Sequence, residues 1–164
     1  MRFFVTGEQN RQLLINTLIL MFLVYVMLLC VSNALMYFHK MSLTAESVTA
    51  YYLGSEQAFT QPISYQSLLE VTHFHLFSMG MLVLTLTHLM LMTDMPTLVK
   101  VWLSVVVYGS ALADEAGGWL VRFVDPVFAY FKIGAFLLLE TSLVVLTLVV
   151  ILSLIQARRR LIDR

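Results

Sequence analysis

Four histidines, His39, His73, His75 and His88, are the residues best suited to chemistry in this 164-residue sequence, and three of them share one apolar stretch. That stretch, LEVTHFHLFSMGM, begins at Leu69 and runs on into LVLTLTHLMLM. Neutral imidazole is a good axial ligand for haem iron and a common ligand for other transition metals. A helix turns about 100° per residue, so His73 and His75 point about 200° apart and must serve two different neighbours. His88 is rotated only about 60° from His73 and lies about 22 Å further along the axis. Gly80 and Thr87 follow His73 at spacings of seven, which makes a stripe of His73, Gly80 and Thr87 with His88 beside it. Glycine in such a stripe lets a flat macrocycle approach the backbone.

Carboxylates add two further possibilities. Glu70-Val71-Thr72-His73 is an E-x-x-H pattern whose ends share a helix face, and with His39, His75 and the acids Asp114 and Glu115 it could hold a copper, iron or zinc ion. A structural role competes, because Ser67-Leu68-Leu69-Glu70 is also a capping-box pattern, and adjacent acids such as Asp114 and Glu115 are commonly just solvated. Glu140 is different: it lies about ten residues into an apolar run with no base nearby, a costly place for a charge. It is expected protonated or bonded to a neighbour, the candidates being Ser104, Tyr108, Ser78 and Thr85. Such a carboxyl either carries a proton to or from a quinone or joins two helices by a hydrogen bond.

The elements that position these residues follow from composition. With 60% hydrophobic residues, 12% charged residues and a mean hydropathy of +0.86, the chain has more apolar surface than a soluble domain of this length could bury. Four runs, 13–37, 68–92, 95–112 and 128–155, reach the roughly 20 residues that a helix needs to cross the hydrocarbon layer. They are continuously apolar, without the alternation of a membrane barrel. The expected fold is all-α, an integral membrane four-helix bundle forming a single domain over 1–164, without repeats or a nucleotide-binding glycine loop. The first run exceeds a signal-peptide core and lacks a convincing cleavage site, so it is expected as a retained span with Met1 kept. Cys30 stands alone and reads as a small packing residue.

Charge sets the expected orientation. Arg2, Arg11, Lys100, Arg158, Arg159, Arg160 and Arg164 fall on one side of the four spans, against Lys40, Arg122 and Lys132 on the other, which places both termini in the cytoplasm of a prokaryotic plasma membrane. The outer face carries Glu46, Glu56, Glu70, Asp114, Glu115 and Asp125, an acidic surface suited to steering a basic partner. Breaks are expected at Thr93-Asp94-Met95-Pro96 and at Asp125-Pro126, the latter an N-cap followed by proline at the first helical position. The outer connections, 40–66 and 114–125, are the longer ones; an interfacial helix is expected within 42–53 and a turn at Gly117-Gly118-Trp119.

On this topology His39, His73 and His75 converge at the outer boundary, so His39 with His73 or His75 is the outer ligand pair available. His88, near the inner leaflet, would need a methionine, five-coordinate iron or a histidine from another subunit. His73-Phe74-His75 followed by Ser78-Met79-Gly80 resembles the His-Phe-His segment in the catalytic subunit of haem-copper oxidases, whose histidines hold different haems from opposite helix faces. The resemblance implies haem coordination and not oxidase activity, since the copper-ligand histidines and the helix number of that family are missing. More broadly, a histidine-bearing four-helix membrane bundle looks like a b-type cytochrome.

The functional expectation is therefore a haem-binding subunit that passes electrons between the quinol pool and a redox partner at the outer face. Haem b would be held by His39, His73, His75 and His88 with Gly80 beside them, and quinone would meet Glu140. The alternatives are an outer-face metal-binding protein using His39, His73, His75 and Glu70, and an accessory subunit that scaffolds a larger complex without a cofactor. The partners expected are other membrane subunits, lipid and a basic redox protein, with no nucleic acid. No activated nucleophile or usable acid/base pair stands out, which favours an electron-transfer or accessory subunit over a stand-alone enzyme.

Overall fold

The computed structural model describes residues 8–57 and 59–162. Of the bases that set the expected orientation, Arg2 and Arg164, and the side chains of Arg158, Arg159 and Arg160, lie outside what is described, as does Met1. The described chain forms five helices: α1 (Glu8–Lys40), α2 (Ala45–Leu53), α3 (Tyr65–Leu91), α4 (Thr97–Phe123) and α5 (Phe128–Ile162). Four of them contain stretches long and apolar enough to cross a membrane: Arg11–Lys40, Tyr65–Leu91, Thr97–Phe123 and Phe128–Gln156. The all-helical membrane bundle expected from composition is what the chain forms, and the short helix expected within 42–53 is α2.

Local chemistry sets the helix ends. Thr44 caps α2, its hydroxyl accepting the Ser47 N–H at 3.3 Å, and Glu46 lies in the first turn where the helix dipole favours a carboxylate. Gly54 ends α2 at φ +81°, where a Cβ would stand 2.6 Å from the Thr60 carbonyl oxygen. Ser64, and not Ser67, caps α3 by accepting the Ser67 N–H at 3.1 Å. The expected capping box is thus displaced, and Glu70 lies in the second turn, accepting from Gln66 Nε2 at 3.0 Å. At the other end of α3, Lys100 Nζ donates to the carbonyls of Leu91 and Thr93 at 2.8 and 2.7 Å, satisfying terminal acceptors that the short connection to α4 leaves open. Before α5, Asp125 accepts the Val127 N–H at 2.8 Å, and the helix begins at Phe128, two residues beyond the expected proline start.

The largest correction concerns α4. Instead of ending at Leu112 it continues unbroken to Phe123, so the expected 114–125 loop is helix and Gly117-Gly118-Trp119 is no turn. Both glycines are buried because neighbours occupy the space of their side chains. A Cβ on Gly117 would lie 3.1 Å from Lys132 Cα on α5, and one on Gly118 would lie 2.9 Å from the Tyr52 hydroxyl on α2. Close packing therefore offsets the roughly 1 kcal/mol that each glycine costs a helix relative to alanine.

Helix α5 is the centre of the bundle, packing on α1, α3 and α4, while α2 lies across α4 and α5. One core cluster joins Leu23, Val26 and Cys30 of α1 to Leu82 and Leu86 of α3, Val107 of α4 and Leu139, Leu143 and Leu146 of α5. Cys30 is the buried packing residue expected of it. A second cluster lies beneath α2 and includes Tyr37, Val48, Tyr52, Leu68, Val121 and Phe136.

Candidate functional site

Polar side chains gather where α1 ends and α3 and α5 begin, beneath α2. Asp114 and Glu115 are consecutive on α4, so their side chains diverge by about 100° and address different helices. Asp114 meets Lys132 of α5, whose Nζ donates to Asp114 Oδ1 at 2.7 Å and to the Asp114 carbonyl at 2.9 Å. Lys132 is only 8% exposed, so the pair is held between spans. Glu115 turns instead toward α3, where His75 Nδ1 lies 2.6 Å from Glu115 Oε1 and its N–H donates to the carboxylate.

Two rungs join α1 to α5 in the same region. Residues four apart share a helix face, so Asn33 and Tyr37 line up along α1 and Phe136 and Glu140 along α5. Tyr37 stacks on Phe136 with ring centroids 3.8 Å apart and planes 9° apart, and Asn33 Nδ2 donates to Glu140 Oε1. The Tyr37 hydroxyl is buried without a hydrogen-bond partner among the described residues. A cavity of about 100 Å³ lies here, its polar lining made by Asn33, Tyr37, Lys40, Tyr51, Tyr52, His75, Asp114, Glu115 and Lys132 and the rest by Gly118 and apolar side chains. Burial, and then the Asp114 carboxylate, push the Tyr52 phenol above its ordinary range, so it remains a neutral hydroxyl. Two bonds hold the frame: Trp119 Nε1 donates to Thr72 Oγ1 at 2.9 Å, and Arg122 Nε donates to the Ile63 carbonyl at 2.8 Å.

The expected site residues separate in space. His75 belongs to the cavity, whereas His39, His73 and His88 are exposed on the helix surfaces and do not line it. His73 packs edge-on against Phe74, and Glu70 is exposed with Gln66 as its partner. Among the described residues, no three or more His, Cys, Asp or Glu side chains are placed to hold a metal ion, so His39, His73, His75 and Glu70 do not form one ligand set. The stripe also divides: a Cβ on Gly80 would meet nothing within 4 Å, but Thr87 is buried and its hydroxyl donates to the Val83 carbonyl at 2.7 Å.

Glu140 is bonded, but not to any of the neighbours expected. Ser104, Ser78 and Thr85 donate to carbonyls one turn back on their own helices, at 2.9, 2.8 and 2.8 Å, which occupies their hydroxyls. Tyr108 is partly exposed, and the partner is Asn33. The signal for it was an amide inside an apolar run. Lys132, assigned by charge counting to the outer surface, is buried because α4 extends far enough to present Asp114 to it.

Residues 42–161 match a family model described as a transmembrane helical domain, an extent that begins just past α1 and takes in α2, α3, α4 and nearly all of α5. No curated protein and no solved structure matches the chain.

Proposed function

The chain belongs to the Aq_1264_TM family of transmembrane helical domains, and on that premise we propose that it is a membrane redox subunit that takes up protons from quinol around His75 and Glu115. The observation that carries this reading is the pairing of ionisable groups between spans, His75 with Glu115 and Lys132 with Asp114, at one cavity. Ionisable side chains are expensive in a membrane and there mark proton or ligand sites. A quinol releases its hydroxyl protons as it releases its electrons. The His75–Glu115 pair supplies an acid/base couple for the protons, and Asn33–Glu140 supplies a second carboxyl further along α5. The electrons pass to a one-electron redox partner.

In this reading the membrane is a prokaryotic plasma membrane with both termini in the cytoplasm, so the cavity belongs to the outer leaflet. Exposed Glu46, Glu56 and Asp125 at that end favour a basic partner through charge complementarity. Other membrane subunits complete the electron path.

A second reading is favoured by the outward face of α3. His73 and His88 are both exposed there, and Gly80 between them is open to close approach. Haem b would be held between this face and another subunit by His73 or His88, where it would supply one-electron transfer; exposed His39 at the end of α1 is a further candidate ligand.

Quinol oxidation by the purified complex, followed with a soluble one-electron acceptor, tests the first reading. Wild-type turnover that His75→Gln and Glu115→Gln lower by tenfold or more is the expected result; no turnover, or variants as fast as wild type, overturns it. A reduced-minus-oxidised spectrum tests the second reading, which fails if pyridine extraction yields no haem.

A further inference from the structure

The cavity contains a buried hydroxyl that neither ion pair uses. Tyr37 is 6% exposed, its hydroxyl has no partner among the described residues, and it lines the space that all five helices enclose. A buried hydroxyl left without a partner is unfavourable, so something within the cavity is expected to bond it. We propose that this something is the ring head group of a lipid-soluble quinol or quinone, with Tyr37 Oη as its hydrogen-bonding anchor.

The walls argue for the ligand class. Lys132 is already paired with Asp114 and His75 with Glu115, so the charges inside the cavity are neutralised in pairs, and Lys40, the further cation of the lining, is exposed at its edge with its ammonium 5.7 Å from the centre of the Tyr51 ring. A neutral head group with hydroxyl or carbonyl oxygens fits. Tyr37 and Phe136, stacked as a pair, and buried Tyr52 make an aromatic wall suited to a ring. Met36 and Val71 line the same cavity yet are 56% and 46% exposed on the apolar faces of α1 and α3, so its mouth reaches the lipid side. An apolar tail can remain in the bilayer while the head group enters.

The identity of the head group rests on the redox reading above, but occupancy can be measured without turnover. Purified full-length protein, freed of quinone and placed in lipid nanodiscs, is titrated with a short-chain benzoquinone by calorimetry. Saturable binding is expected, about three- to tenfold weaker in Tyr37→Phe, which keeps the ring stack and removes only the hydroxyl. Met36→Trp, at the exposed mouth, should also weaken it, and Tyr25→Phe on the lipid face of α1 should leave it unchanged. Absence of saturable binding, as for a cavity that holds only water, overturns the proposal, as does equal affinity in Tyr37→Phe. Binding that follows the expected pattern in a complex that never turns over quinol would instead sink the redox reading and leave the site standing.

Discussion

Lys132 and Asp114 make a pair whose value lies in both members being present. A buried ion pair that loses one member leaves an uncompensated charge at a cost of about 3–5 kcal/mol, whereas replacing both with apolar groups is often neutral. Lys132→Met and Asp114→Asn should each lower the melting temperature in detergent, and the double variant should recover most of the loss. Tyr52 gives a pH dependence of known sign. Its folded-state pKa is raised by burial, so the stabilisation by the neutral phenol is fully present below the unfolded value of about 10 and is lost as pH rises past that value toward the folded one. Alkaline melting above about pH 10 should therefore be less steep in Tyr52→Phe than in wild type. Glu140 was conspicuous from sequence because a lone carboxyl in an apolar run has to be explained. Its partner was hidden because the hydroxyls nearest in expectation bond to their own helices, a local competition that spacing does not reveal.

Helix α4 shows why a glycine pair misleads when read one element at a time. Glycine lowers helix propensity and favours turns, yet Gly117 and Gly118 lie within one continuous helix because a backbone on α5 and a ring on α2 fill their side-chain positions. Gly118→Ala should destabilise the bundle by about 1–3 kcal/mol through overpacking against Tyr52. The same substitution in a Tyr52→Leu background should cost less, a non-additivity that a double-mutant cycle of melting temperatures measures. The cap of α3 teaches the same lesson on a smaller scale. Ser64 and Ser67 both suit an N-cap, and the earlier one does it, which turns Glu70 from a cap residue into an exposed partner of Gln66.

At the scale of the whole molecule, α1 lies outside the residues that match the family, yet it supplies Asn33 and Tyr37 to the cavity. The proposed orientation makes a direct prediction. In a Cys30→Ser background, Glu56→Cys should react with a membrane-impermeant maleimide in intact cells, and Thr97→Cys should react only after lysis. The reverse pattern would invert the topology and move the cavity to the cytoplasmic leaflet.

The sequence by itself determined that the chain is a helical membrane protein, since the length and apolarity of its runs leave no other way to satisfy the backbone. It also marked the four histidines and Glu140 as costly groups in or beside apolar runs, whose surroundings have to account for them. Only the tertiary structure decided which of the four histidines enters the interior and what each buried charge meets. Helical periodicity gives the direction of a side chain on its own helix, but the neighbour it faces depends on how α4 and α5 pack, and that contact is made between residues far apart in the chain.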